Sequence, residues 1–164
     1  MTAPVTAMCT SFKGEMPQAL HNFVITSGNV FKVALFKAAS LLVTLTWGAT
    51  ATNYGAGSGV PTAANMGTDE LAAGSGYTSG GFAWTAAQNI TPLTSGTGAY
   101  WSWSVNPSWA SATFTTSGCM IYNSTSTNRA VGIFSFGGDQ TISAGTFTIT
   151  LPTNGVGTSI LQLN

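Results

Sequence analysis

The sequence predicts an all-β fold: an antiparallel β-sandwich, jelly-roll or immunoglobulin-like, with one short N-terminal helix and an extended N-terminal arm. Three observations carry that expectation. Runs rich in β-branched and aromatic residues recur through the 164 residues. Several alternate apolar and polar side chains with the period of two that a half-buried strand requires. Gly-, Asn- and Pro-containing turns separate them at intervals of about ten residues, as in sandwiches and barrels. The length suits a single domain, with an arm over 1–12 and a body over 13–164 that carries a long loop at 48–68.

Taken in order, residues 1–10 have Pro4, several Thr and no periodicity, and read as the arm. Phe12, Met16, Leu20 and Phe23 then recur at the spacing of one helical face, with Ser11 and Glu15 as a start signal. Pro17 is tolerated only in a first turn, so the expected helix is short, near 14–23. Val30–Phe36 reads as a strand, and Leu41–Trp47 (LLVTLTW) as a second. Residues 48–68 are Gly, Ala, Thr and Asn with Pro61 and read as a long loop or excursion, of the kind that is functional, disordered or docked on something else.

Beyond residue 69 short β segments follow one another. Phe82–Trp84 is one. In Tyr100–Val105, Trp101, Trp103 and Val105 share a face that fills a core. Ala112–Thr116 and Cys119–Asn123 come next, and the polar tip Ser124–Asn128 joins the latter to Ala130–Phe136 as a hairpin. Gly137-Gly138-Asp139 reads as a turn. Gly145–Leu151 points Phe147, Ile149 and Leu151 inward, and Ser159–Leu163 closes the chain. Trp109, just after Pro107, is expected on a surface loop.

Charge is the anomaly. Only 5% of residues are charged, against roughly 25% in an ordinary soluble domain. They are Lys13, Glu15, Lys32, Lys37, Asp69, Glu70, Arg129 and Asp139, and the formal net charge is zero. Uncharged copies repel one another weakly, which suits assembly. Four scattered basic residues cannot track a phosphate backbone or hold an anionic membrane surface. No secretory signal is visible at the start, and Val33–Trp47 is too short to span a bilayer. The two cysteines, Cys9 and Cys119, read as reduced, partly buried thiols of a protein made in the cytoplasm, with a disulfide from arm to body as the alternative.

Catalytic equipment is sparse. His21, the single histidine, lies beside core-type Leu20 and Phe23 and reads as structural. A triad would have to join it to Cys119 or a serine and to Asp139 or Asp69, without any nucleophile-elbow motif. Asp69 and Glu70 are adjacent and face opposite ways. No spacing suits zinc or calcium, and Gly74–Gly81 lacks the lysine of a phosphate cradle. The chain is therefore expected to be no enzyme and to need no cofactor or metal. Asn89-Ile-Thr91 and Asn123-Ser-Thr125 match the glycosylation sequon, as chance allows in so Asn- and Thr-rich a chain.

Ser11-Phe-Lys13, Leu20-His-Asn-Phe23, Phe31-Lys-Val-Ala-Leu35, Gly74-Ser-Gly-Tyr-Thr-Ser-Gly-Gly81, Cys119-Met-Ile-Tyr-Asn123, Arg129-Ala-Val131, Phe136-Gly-Gly-Asp-Gln140 and Gly145-Thr-Phe-Thr-Ile149 follow in this order. Together they resemble small structural proteins of tailed-bacteriophage virions, across nearly the whole chain; residues 48–68 are longer than that pattern. The resemblance implies a virion protein assembled in the host cytoplasm. The first expectation is a capsid decoration or cement protein, a homo-oligomer bound to the major capsid protein and to copies of itself. A tail, neck or fibre-associated protein contacting other tail proteins is the alternative, and a carbohydrate-binding adhesion module built on tryptophans is a third. Assembly contacts are expected from Met8 and Phe12 in the arm, Tyr54 and Val60 in the excursion, and Trp109.

Overall fold

A computed structural model describes residues 4–43, 47–55, 65–89 and 92–163. The chain is predominantly β, as its patterning requires, and its strands form two antiparallel sheets. The elements are β1 (Ala7–Met8), α1 (Thr10–Glu15), β2 (Phe31–Lys37), β3 (Phe82–Trp84), β4 (Leu93–Ser95), β5 (Gly98–Trp101), β6 (Ser108–Asn123), β7 (Arg129–Thr148) and β8 (Leu161–Leu163). The larger sheet has the order β1-β7-β6-β2-β3 and the smaller β4-β5-β8. One contiguous core, drawn from residues between Cys9 and Leu161, unites them.

β2 sits near the middle of the large sheet, between β6 and β3. Its run Phe-Lys-Val-Ala-Leu-Phe-Lys buries Val33, Ala34, Leu35 and Phe36 in succession, the signature of a strand covered on both faces rather than one. Aromatic packing links the sheets. Trp84 of β3 stacks on Trp103 with ring centroids 4.4 Å apart, and Phe31 stacks on Phe23 at 4.5 Å. Phe23 in turn meets Trp101 of β5 edge-on. Offset and edge-on arrangements suit the ring quadrupoles and add to the area they bury.

The β6–β7 hairpin is the spine. Ser124–Asn128 connects the strands, as the sequence predicts, with Thr127 and Asn128 both in the left-handed region (φ 50° and 60°). Asn123 Oδ1 accepts from the Ser126 amide at 3.1 Å and closes this turn. Pairing then runs from Asn123↔Arg129 to Ser108↔Thr148, so the two expected strands at 112–116 and 119–123 are one. Gly137-Gly138-Asp139 does not end a strand. It is a bulge within β7, where pairing shifts from Gly118↔Ser135 to Thr116↔Gln140, and a bulge absorbs extra residues without breaking a ladder. Asp139 Oδ1 there accepts the Ala39 amide at 2.8 Å.

Two other expectations need correction, and the extended arm gains a docking partner. The helix covers Thr10–Glu15, not 14–23, because Pro17 and the left-handed Ala19 (φ 56°) cannot continue it. Ser11 lies inside it and donates to Ala51 O instead of capping it. Over its described residues Leu41–Trp47 is not a strand: Ala39–Leu41 form a tight 3-10 turn, and Trp47 is a core side chain. The arm is extended but docked: β1 pairs with β7, Cys9 is fully buried, and Val5 N and Thr10 N donate to Trp47 O and Ala49 O. That second strip, the start of the 48–68 excursion, lies on the body through Ala130 N to Thr52 O and Tyr54 N to Asn128 O.

Candidate assembly surface and buried polar clusters

Charge scarcity acquires a structural meaning once its few ionic groups are located. Five of the eight charged residues stand in three clusters built on the buried carboxylates Glu15, Asp69 and Glu70, with Lys37 and Arg129 half-buried beside them. In the first, Glu15 of α1 pairs with Arg129 Nη1 at 2.7 Å and with His21 Nε2 at 2.7 Å. Asn123 Nδ2 of β6 approaches His21 Nδ1 at 3.1 Å. In the second, Asp69 takes Lys37 Nζ at 3.1 Å, the Val43 amide at 2.7 Å and Trp47 Nε1 at 3.0 Å. In the third, the buried Glu70 carboxylate accepts four donors: Tyr54 Oη and Ser79 Oγ on one oxygen, Tyr77 Oη and the Gly80 amide on the other. Asp69 and Glu70 do face opposite ways, each into its own cluster.

The Glu70 cluster explains the glycine-rich segment. Tyr77 Oη also donates nothing to solvent, lying 3.1 Å from the Leu35 amide, and Tyr122 Oη donates to Gly80 O at 2.9 Å. Gly81 then crosses β2 so closely that a Cβ would fall 1.7 Å from Val33 O, at a φ of 72°. Only glycine fits there. Burial, reinforced by the Glu70 charge, pushes the Tyr54, Tyr77 and Tyr122 hydroxyls far above the usual phenol range, so they remain donors. All four lone-pair directions of Glu70 are taken, which leaves it no capacity for a ligand.

The other reactive groups are equally engaged. Burial pushes both Cys9 and Cys119 thiols up to about 12, so neither forms a thiolate near neutrality, and both are free and buried. His21 has both ring nitrogens occupied by Glu15 and Asn123, not by Cys119, Asp69 or Asp139. Among the described residues no group of three His, Cys, Asp or Glu side chains could hold a metal ion. The sequon asparagines Asn89 and Asn123 are buried, and Asn89 Oδ1 accepts Trp103 Nε1 at 3.1 Å.

Several expected contact residues are therefore interior. Phe12 is fully buried against His21 and Phe23; Tyr54 stacks on Tyr122 at 4.3 Å; Trp109 packs among Tyr77, Phe82 and Phe147. These three are corrected to core positions, because each ring has neighbours of its own chain on all sides that matter for burial. Met8 is half-buried on the edge strand β1, and Val60 lies outside the described residues. Trp101 and Trp103 are core, as expected, and all five tryptophans are buried. No tryptophan face is left on which a sugar could stack.

What the surface offers instead is mostly uncharged, with Lys13 and Asp139 as exposed charges. Val5, Leu41, Val43 and Val156 are 60–65% exposed, and Val24, Ile25 and Leu93 are also outside. Phe23, Val24, Ile25, Thr26 and Pro92 line a shallow apolar depression. A second depression of about 390 Å³ lies between the sheet and the 149–160 segment, walled by Val33, Ile121, Phe134, Phe136, Ile149 and Leu151. Along the far part of the hairpin, hydroxyls pair across the strands: Ser108 with Thr148 at 3.0 Å and Thr115 with Thr141 at 2.9 Å. Side chains of this kind can offer shape, apolar contact and neutral hydrogen bonds. No family model, curated protein or solved structure matches this chain, so its function rests on these residues alone.

Proposed function

We propose that the chain is a structural component of a bacteriophage virion, a capsid decoration or cement protein that binds the outer capsid lattice through the major capsid protein and copies of itself. The observation that carries this is the division of its polar groups. Three carboxylates, Glu15, Asp69 and Glu70, are buried and engage the half-buried Lys37 and Arg129 or neutral donors of the same chain, while large apolar side chains such as Leu41, Val43 and Val24 stand outside. A lone soluble domain keeps its charges outside for colloidal repulsion; a subunit tiled against neighbours does not need them there. Many weak, identical contacts then sum through multivalency. The ordered series of motifs from Ser11-Phe-Lys13 to Gly145–Ile149 supports the same assignment.

The contacts belong to the exposed apolar residues of the 24–25, 41–43 and 92–93 segments, since Phe12, Tyr54 and Trp109 are internal. The reading gives the chain no catalytic step and no cofactor. The test is reconstruction of the particle with copy counting, followed by stripping the protein and heating the shell. A copy at every lattice position and a shell that opens at lower temperature when stripped are the expected results. Copies confined to one ring at the tail or neck would move the protein to the tail, and shells equally robust after stripping would end the cement role.

A further inference from the structure

The hydrogen-bond roles around His21 follow from the orientation of the Asn123 amide. Asn123 Oδ1 accepts the Ser126 amide at 3.1 Å, which fixes the other side-chain atom as the NH₂ group. That Nδ2 lies 2.8 Å from Asn29 Oδ1 and 3.1 Å from His21 Nδ1, with Leu20 O farther off at 3.4 Å, so its two hydrogens go to Asn29 and to the ring. His21 Nδ1 is therefore an unprotonated acceptor, and Nε2–H donates to Glu15 Oε2 at 2.7 Å. The imidazole is neutral and held in a single tautomer.

This ring joins three parts of the fold that are far apart in sequence. Glu15 belongs to α1, His21 to the 20–29 segment, and Asn123 and Arg129 flank the β6–β7 turn. The ring is buried, with Phe12 edge-on at 4.8 Å and Phe31 of β2 stacked at 6.4 Å. The charged groups facing it are Glu15 and, through Glu15, Arg129. Cys9, at the start of α1, is buried and stays a neutral thiol beside Glu15. β2 presents Phe31 and β6 presents Asn123, and neither titrates.

We propose that His21 is an acid-sensitive latch: protonation at Nδ1 sets a ring N–H against the Asn123 NH₂ group and releases the 20–29 segment from the β6–β7 turn. Two donors cannot share the 3.1 Å gap. Rotating the Asn123 amide relieves the ring, but it sets the NH₂ group against the Ser126 amide and forfeits the bond to Asn29 Oδ1. The conflict passes into the turn instead of vanishing. Glu15 offers the imidazolium a counter-charge, but Arg129 already occupies the other carboxylate oxygen at 2.7 Å.

The direction of the titration agrees. Burial, outweighing the hydrogen bond and charge of Glu15, lowers the ring's proton affinity below its ordinary value of 6.5. The unfolded chain thus takes up the proton first. The stabilisation is complete above 6.5 and is lost as pH falls from there through the lower folded value. The latch depends only on this network and stands whether or not the protein coats a virion.

His21 is the single histidine, so its ring resonances are unique in a magnetic-resonance titration of the full chain. The expected result is the Nε2–H tautomer at neutral pH, a midpoint below that of a free imidazole, and faster amide exchange at 20–29 and 123–129 as the ring titrates. In urea unfolding the wild-type midpoint drops between about pH 7 and pH 5. His21→Gln keeps a donor for Glu15 and does not titrate, so its drop is smaller; acid effects at other groups are common to both proteins. Asn123→Asp supplies an acceptor at Nδ1 and raises the histidine midpoint above the wild-type value. An Nδ1–H tautomer at neutral pH, or equal urea-midpoint drops in wild type and His21→Gln, would overturn the proposal.

Discussion

The two halves of the β6–β7 hairpin share one ladder and differ in almost everything else. From Thr116 to Asn123 and Arg129 to Ser135, the hairpin is flanked by β2 on one side and β1 on the other. There every β6 residue is buried, including Ser117 and Asn123. From Ser108 to Thr115 and Thr141 to Thr148, the two strands pair only with each other among the named strands. Ser108, Ala110 and Thr113 are exposed, and Ser111 and Ala144 stand at positive φ in its irregularities. Flanking strands, more than propensity, decide which half is a core and which a ribbon. A two-stranded ribbon is marginal alone. This one is held by Trp109, Phe114 and Phe147 beneath it and by Thr113 N donating to Ser75 O at 2.9 Å.

The largest expected break of this contrast is a pair of glycine substitutions. In the flanked half, a Cβ on Gly118 would lie 2.5 Å from Phe134 O, a backbone atom that cannot swing aside. In the bulge, a Cβ on Gly137 meets nothing within 4 Å, and only its φ of 76° resists. Gly118→Ala should cost about 3 kcal/mol or more in urea unfolding, from strain in a closed ladder. Gly137→Ala should cost about 1–2 kcal/mol, the ordinary penalty of a side chain in the left-handed region. Equal losses would mean that the bulge is as constrained as the flanked half.

Isoleucine truncation sharpens the same point through cavities. Ile133 is fully buried and paired with Met120, whereas Ile142 is partly exposed opposite Phe114. Ile133→Ala should lose roughly 2–5 kcal/mol, the range for a buried side chain whose site cannot collapse. Ile142→Ala should lose about 1 kcal/mol, since part of its surface is already wet. Denaturation midpoints with unchanged slopes would check both.

The ionic pin at the turn end ranks third. Glu15→Gln leaves Arg129 without its carboxylate at a position where the guanidinium side chain keeps 35% exposure. Breaking a dry pair costs about 3–5 kcal/mol, and partial solvation should reduce this to about 2 kcal/mol. The loss should shrink in the double variant with Arg129→Met, because an apolar partner leaves no stranded charge.

Which of these features the sequence could disclose follows from their range. The Ser124–Asn128 connection, the Val30–Phe36 run and the shared face of Trp101 and Trp103 are local patterns, and local pattern sufficed for them. The continuity of β6 through Ser117-Gly118, and of β7 through Gly137-Gly138, was hidden because glycine punctuates a turn and a bulge alike. Trp109 was misplaced because Pro107 signals a loop while its burial depends on Tyr77 and Phe82, residues from another part of the chain. The polar clusters join residues as distant as Glu15 and Arg129. The signal that could have pointed to them is the scarcity itself: in a chain with so few charges, the adjacent Asp69-Glu70 pair must find partners if it is buried.

The smallest expected effect tests what the outer face of the ribbon is for. Thr115 and Thr141 share a hydroxyl contact of 2.9 Å on the exposed side, and Ser108 and Thr148 one of 3.0 Å. Water competes for each of these groups, so cross-strand pairing of this kind is worth only about 0.2–1 kcal/mol. Thr115→Ala and Thr141→Ala should each shift the midpoint by a few tenths of a kcal/mol, with a coupling of similar size in the double variant. A hydroxyl row that adds so little to folding is free to serve as neutral donors and acceptors toward a neighbouring subunit. If that is its use, the double variant should keep its fold yet bind the particle more weakly. Unchanged particle binding would return the row to ordinary solvation, and a coupling well above 1 kcal/mol would make the ribbon as structural as the half that β1 and β2 enclose.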